Sequence, residues 1–178
     1  ALACAFIFSL FNHYAVQVHQ TKFFIEAGFS VSESAWALGM VVLFGIPGQI
    51  AVGSISDRIG REWGWALSMT GYVICFITFL HMMDGASRWQ LYLCVMSVGL
   101  LGAGTAPLFG AIGAELFGGP YFGRVFGLLG VACSIGAACG AWVTGTLYDI
   151  TGSYQASFLS CIGFAVLSSL CVFWAGPG

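Results

Sequence analysis

The sequence predicts an all-α integral membrane protein, a bundle of six transmembrane helices in a single membrane domain over residues 1–178. Three observations carry this prediction. The chain is 59% hydrophobic and only 7% charged, with a mean hydropathy of +0.94, whereas soluble domains carry roughly a quarter charged residues. Its apolar runs reach the ~20 residues that a helix needs to cross hydrocarbon. The alternating pattern of an outer-membrane barrel, about ten residues per strand, is absent.

The apolar runs occupy roughly 2–26, 34–56, 64–83, 89–113, 122–147 and 154–175. They are separated by the polar or Gly-rich pieces EAGFSVSES, SDRIGRE, DGASR, AELFGGPY and YDITGSY. An even number of spans joined by short turns leaves both chain ends on one side. A net charge of −2 and the lack of a basic stripe argue against a nucleic-acid partner. No initiator Met or basic stretch precedes the first apolar run, so a signal peptide is not expected. The abrupt start and stop beside apolar segments suggest a fragment of a longer protein.

The first span is the least uniform, carrying Asn12, His13, Gln17, His19 and Gln20 in an otherwise apolar run. At about 100° per residue these fall within an arc of roughly 160°, with Asn12 and His19 at one edge and Gln17 at the other. A polar arc on a spanning helix faces protein or a water-filled cavity rather than lipid. Hydrogen bonding between helices satisfies that requirement, and so does a substrate cavity. Asn12, His13, Gln17 and Gln20 are therefore candidate cavity residues. His19 and Lys22 lie towards the outer interface.

The second span holds Pro47-Gly48-Gln49 near its middle, which predicts a kink. Gln49 is an intramembrane amide and joins the candidate cavity set. The fourth span places Gly102, Ala106, Gly110 and Ala114 at steps of four, and the fifth pairs Gly123 with Gly127 and Gly136 with Gly140. Small residues at this spacing let helix backbones approach closely. Pro107 predicts a second kink.

The seven cysteines (Cys4, Cys75, Cys94, Cys133, Cys139, Cys161 and Cys171) are scattered in apolar runs without a CxxC pair, which reads as small buried thiols. No HExxH, GxSxG or paired aspartates on facing helices are present. No catalytic residue, metal ligand or cofactor is expected.

Between the second and third spans lies GSISDRIGR, Gly53 to Arg61. Asp57, Arg58, Arg61 and the following Glu62 form a charge cluster that belongs at a water interface. Glu115 and Arg124 flank the turn between the fourth and fifth spans, on the same side. An anion such as Asp57 suits the N-terminus of the fifth helix, where unpaired amides and the helix dipole favour it. Arg58 or Arg61 is placed to meet Glu115, with Arg124 joining, and such a cluster would latch these helix ends together.

The spacing Gly-x-x-x-Asp-Arg-x-Gly-Arg, formed here by Gly53, Asp57, Arg58, Gly60 and Arg61, resembles the signature loop of the major facilitator superfamily. The segments HQTKFFIEAGFS, IPGQIAVGSISDRIGR, GAELFGGPYFGRVFGLLG and GAWVTGTLYDITGSY look like the C-terminal half of such a transporter, most similar to its monocarboxylate and oxalate–formate branch. The resemblance implies six of twelve helices, with alternating access as two halves rock about a central site. It implies a small-molecule substrate, a carboxylate-type anion, with H+ as a possible coupling ion and membrane lipid around the chain. The N-terminal half, or a second copy, would complete the cavity. It also places the signature loop and both termini on the cytoplasmic side, in a bacterial inner membrane. Many members of that branch carry a basic residue four positions before the signature Gly, facing the substrate carboxylate. Here that position is Gln49, which hydrogen-bonds but does not neutralise an anion. His13 is the candidate replacement charge. Nothing resembles an ATP-binding loop, so the driving force would be an ion or solute gradient. The competing reading is a non-transporting sensor or assembly protein on the same fold.

Overall fold

Helix α1 spans Leu2–Glu26, α2 Val31–Ile59 and α3 Arg61–Met82 in a computed structural model that describes residues 1–176. The fourth span is α4, Arg88–Met96, continued by α5, Thr105–Phe117, through an irregular stretch. Helices α6, Phe122–Thr151, and α7, Gln155–Ala175, complete the chain. No strand occurs among the described residues. Five spans, namely α2, α3, the α4–α5 unit, α6 and α7, are long and apolar enough to cross a membrane. Helix α1 matches them in length at 25 residues. Its polar arc lowers its hydropathy, and it packs chiefly along α6 and α7. The protein is a multi-pass integral membrane protein.

Local chemistry sets several helix ends. Ser30 caps α2: its hydroxyl oxygen accepts from the Glu33 amide at 3.2 Å, and the Glu33 carboxylate accepts from the Ser30 amide at 3.0 Å. That reciprocal pair satisfies donors which a helix start leaves open. At the start of α4 the Gln90 side-chain oxygen accepts from the Ser87 amide at 2.8 Å and from the Ser87 hydroxyl at 3.0 Å. At the other end of the bundle, α2 runs on through the charge cluster. The stretch read from the sequence as a loop is helical to Ile59, and Gly60 alone breaks it at φ +100°. This conformation is open to glycine at no steric cost, so a one-residue joint separates α2 from α3.

The close approach predicted for small residues is realised at one of the two pairs in α6. A Cβ on Gly136 would overlap the backbone of Ile7, and one on Gly140 the backbone of Phe11. Helices α1 and α6 are therefore in backbone contact there. Gly123 and Gly127 meet no neighbour among the described residues.

The step-of-four row in the fourth span does not form a single seam. Ser97–Leu101 is a π turn and Gly102–Gly104 a 3-10 turn, so the register shifts before Ala106 is reached. Pro107 lacks an N–H and crowds the carbonyl four residues back, Ala103, which removes the α-helical bond there. The distortion lies in the residues preceding Pro107. Gly102 packs against the Tyr72 ring, and Gly110 has no neighbour among the described residues. Pro47, in contrast, sits inside α2 without interrupting it. Beside it, Gly48 lies against the carbonyls of Gly99 and Leu100, which locks α2 to the π turn.

The core is aromatic. Phe6, Phe24, Trp65, Tyr72, Phe76, Phe79 and Phe158 are fully buried. Trp65 Nε1 donates to Ser168 Oγ at 3.0 Å, and Ser168 Oγ donates to the Ala5 carbonyl at 2.7 Å. This buried chain ties α3, α7 and α1 together and satisfies the indole donor.

Candidate functional site

His13 occupies the ridge between two open depressions. One, of about 250 Å³, is lined by His13 and Gln17 from α1, Gln49 from α2, Tyr72 from α3 and Thr105 from α5, with apolar residues between them. The other, of about 320 Å³, adds Leu10, Trp65, Phe109, Gly130 and Cys133. Both include His13, Thr105 and Ala106. Neither is lined by Asp, Glu, Lys or Arg among the described residues. His13 Nδ1 lies 2.9 Å from the Tyr72 hydroxyl. The arrangement offers hydrogen-bonding groups and one imidazole in apolar walls, without a fixed charge.

The polar arc of α1 thus divides. His13 and Gln17 face the depression that Gln49 also borders. Asn12 and Gln20 do not: both are buried against neighbouring helices. Asn12 Nδ2 donates to the Phe8 carbonyl of its own helix at 2.8 Å. Asn12 Oδ1 and Gln20 Nε2 have no hydrogen-bond partner among the described residues. Asn12 lies at the edge of the arc, beyond the cavity face of α1, whereas Gln20 is close to His13 around the helix axis but about two turns further along it, past the depression. His19 is likewise taken up by packing. Its Nε2 lies 2.9 Å from the Ala141 carbonyl and its Nδ1 3.4 Å from the Tyr154 hydroxyl.

At the Gly60 end, Arg61 is the organising group. Its Nε donates to Glu115 Oε1 at 2.8 Å, and its Nη1 donates to Ser56 Oγ at 2.8 Å and to Asp57 Oδ1. One planar guanidinium therefore joins the end of α2, the start of α3 and the end of α5, a geometry that suits its fork of donors. Asp57 takes the Arg61 side chain rather than the N-terminus of α6. Arg58 is exposed and forms no ion pair among the described residues. Arg124 forms none either and instead lies over the Tyr121 ring, 5.8 Å from its centroid. Gly53 lies within α2 and meets nothing within 4 Å.

The sequence reading did not single out Tyr72, Thr105 or Ser56. Tyr72 lies in a largely apolar run whose polar members are small hydroxyl residues such as Ser68 and Thr70, and Thr105 follows a glycine-rich stretch. Their one signal is a hydroxyl inside a membrane span, which requires a partner. At the opposite end the same holds for Tyr148, whose hydroxyl donates to Glu26 Oε1 at 2.7 Å while Lys22 Nζ stands 3.9 Å from its ring centroid.

The family model of the Major Facilitator Superfamily matches residues 2–178. Among characterised proteins, the chain is similar to the Bos taurus protein "Monocarboxylate transporter 13", with 24% identity over 165 residues. That match takes in 89% of this chain and 37% of the relative, so the chain spans well under half the relative's length. A helical membrane bundle with the signature residues at its one-residue joint, matched almost from end to end, belongs to the major facilitator superfamily.

Proposed function

We propose that the chain is the C-terminal half of a secondary transporter that moves a small organic solute of the carboxylate class by alternating access, coupled to protons. The observation that carries the proposal is the open depression at His13, Gln17 and Gln49. Polar side chains on a membrane bundle are expensive unless they line a cavity, and a lining of this kind fits solute recognition. The name of the bovine relative supports the carboxylate class. Gln49 and Gln17 donate and accept hydrogen bonds to the solute, and protonated His13 supplies the positive charge that a carboxylate requires. The second half of the cavity comes from another six-helix unit, either the N-terminal half or a second copy. Arg61 with Asp57, Ser56 and Glu115 forms the latch at the end of the bundle that carries both termini, on the cytoplasmic side.

The test is His13→Ala in the full-length protein. Uptake of a labelled small carboxylate should weaken, and its pH dependence should flatten over the range in which the His13 imidazole exchanges its charge. The sign follows from the role: imidazolium binds the anion, so wild-type uptake falls as pH rises through that window. An unchanged profile in the variant would remove His13 from the mechanism.

A further inference from the structure

The two depressions on either side of His13 differ in what they offer a solute. The first presents the side-chain amides of Gln17 and Gln49. The second, of about 320 Å³, is walled by Leu10 from α1, Trp65 from α3, Phe109 from α5, and Gly130 and Cys133 from α6. Apart from His13 and Thr105, which belong to both, its polar lining is the Cys133 thiol, a weak hydrogen-bonding group. The indole of Trp65 is already engaged, since Nε1 donates to Ser168 Oγ at 3.0 Å within the core. Thr105 Oγ1 likewise donates its proton to the Gly102 carbonyl at 3.0 Å. A polar group entering this depression would lose water and gain few partners, whereas an apolar one gains by leaving water.

There is also room. A Cβ on Gly130 would meet no atom within 4 Å, so the depression is open on that side. An apolar cavity of about 150 Å³ holds a benzene ring, and the volume here is about twice that. The walls are held in place from behind. The Phe6 ring packs on Trp65 and on Phe109 at centroid separations of 5.2 and 4.6 Å, and Phe109 packs on Phe126 at 4.8 Å. Rings fixed in this way do not have to be ordered when a ligand arrives, which favours binding.

We propose that the second depression is a subsite for a ring-sized apolar substituent, which makes the solute an arylacetate-like carboxylate rather than a short-chain one. The carboxylate lies on the Gln17 and Gln49 side of His13, and the ring lies on the Trp65 and Phe109 side. His13, on the ridge, lies between the two parts of the solute. This assignment rests on the carboxylate class proposed for the solute, and it adds the wall that selects by size and hydrophobicity.

The experiment is equilibrium binding of radiolabelled acetate and phenylacetate to the detergent-purified full-length protein. The two share a carboxylate and differ by the ring. Burial of the ring should make phenylacetate bind about tenfold more tightly than acetate. Gly130→Leu puts a side chain into the open space and should bring the ratio of the two affinities close to one. Cys133→Phe fills the same depression from the next turn of α6, and it should have the same effect if Gly130→Leu fails to fold. Equal affinities in the wild type, as when a side chain of the other six-helix unit fills the depression, overturn the subsite. A preference for phenylacetate that these variants leave intact, or binding of neither compound, overturns it as well. Phenylacetamide keeps the ring and lacks the charge. If it binds as tightly as phenylacetate, and Gly130→Leu abolishes that binding, the subsite is upheld and the carboxylate reading fails.

Discussion

Gly140→Ala should destabilise the bundle by about 1–3 kcal/mol, the cost of forcing a methyl group into a filled interface. The added carbon would overlap the Phe11 carbonyl and Cα, and backbone yields less readily than a side chain. Gly136→Ala meets the Ile7 backbone in the same way one turn earlier and should cost a similar amount. Thermal unfolding of the detergent-purified full-length protein measures both. Gly163→Ala, on an α7 position that meets nothing within 4 Å, serves as the reference and should lie close to wild type. Equal midpoints for Gly140→Ala and Gly163→Ala would mean that α1 and α6 are not in backbone contact. Small residues alone do not reveal which of them are used: Gly123 and Gly127 have the same spacing, yet the turn of α6 that carries them stands clear of α1.

The second large effect is expected at Arg61. Arg61→Ala removes one side chain that holds Asp57, Ser56 and Glu115 together, and with it the tie between the joint at Gly60 and the end of α5. The carboxylates are 60% and 49% exposed, so solvent and salt screen much of the attraction. A net loss of about 1.4 kcal/mol from the latched conformation shifts the balance between conformations about tenfold. The maximal uptake rate should fall by about that factor, while membrane insertion stays intact. Arg61→Lys keeps the charge but not the fork of donors, and it should fall between the two. Wild-type uptake by Arg61→Ala would exclude a latch at this end of the bundle.

The spans were legible because each needs its length of apolar residues, and the ends of α1, α3, α6 and α7 fall close to the composition breaks. The register inside them was less legible. Gly99, Gly102 and Gly104 suit a continuous packed helix as well as a broken one, and what distinguishes them is the packing of the π turn on Gly48 together with the demand of Pro107. The charge cluster read as a loop because charges so dense at the end of an apolar run belong at a water interface and resemble the signature loop, but α2 stays helical to Ile59 and Gly60 alone departs from it. At the candidate site, His13, Gln17 and Gln49 were visible as polar residues within apolar runs. Tyr72 and Thr105 were not, because a hydroxyl in a span commonly satisfies itself on its own helix, as Thr70 does on Ala66. Asn12 and Gln20 show the opposite limit: sharing an arc with His13 did not place them on its cavity.

The most direct measurement is uptake of labelled small carboxylates into vesicles containing the full-length protein, with and without an imposed proton gradient. Saturable uptake that rises with the gradient, and that Gln49→Ala weakens, is the expected result. Absence of uptake under both conditions, or uptake indifferent to the gradient and to Gln49, would contradict a proton-coupled carboxylate site at this cavity.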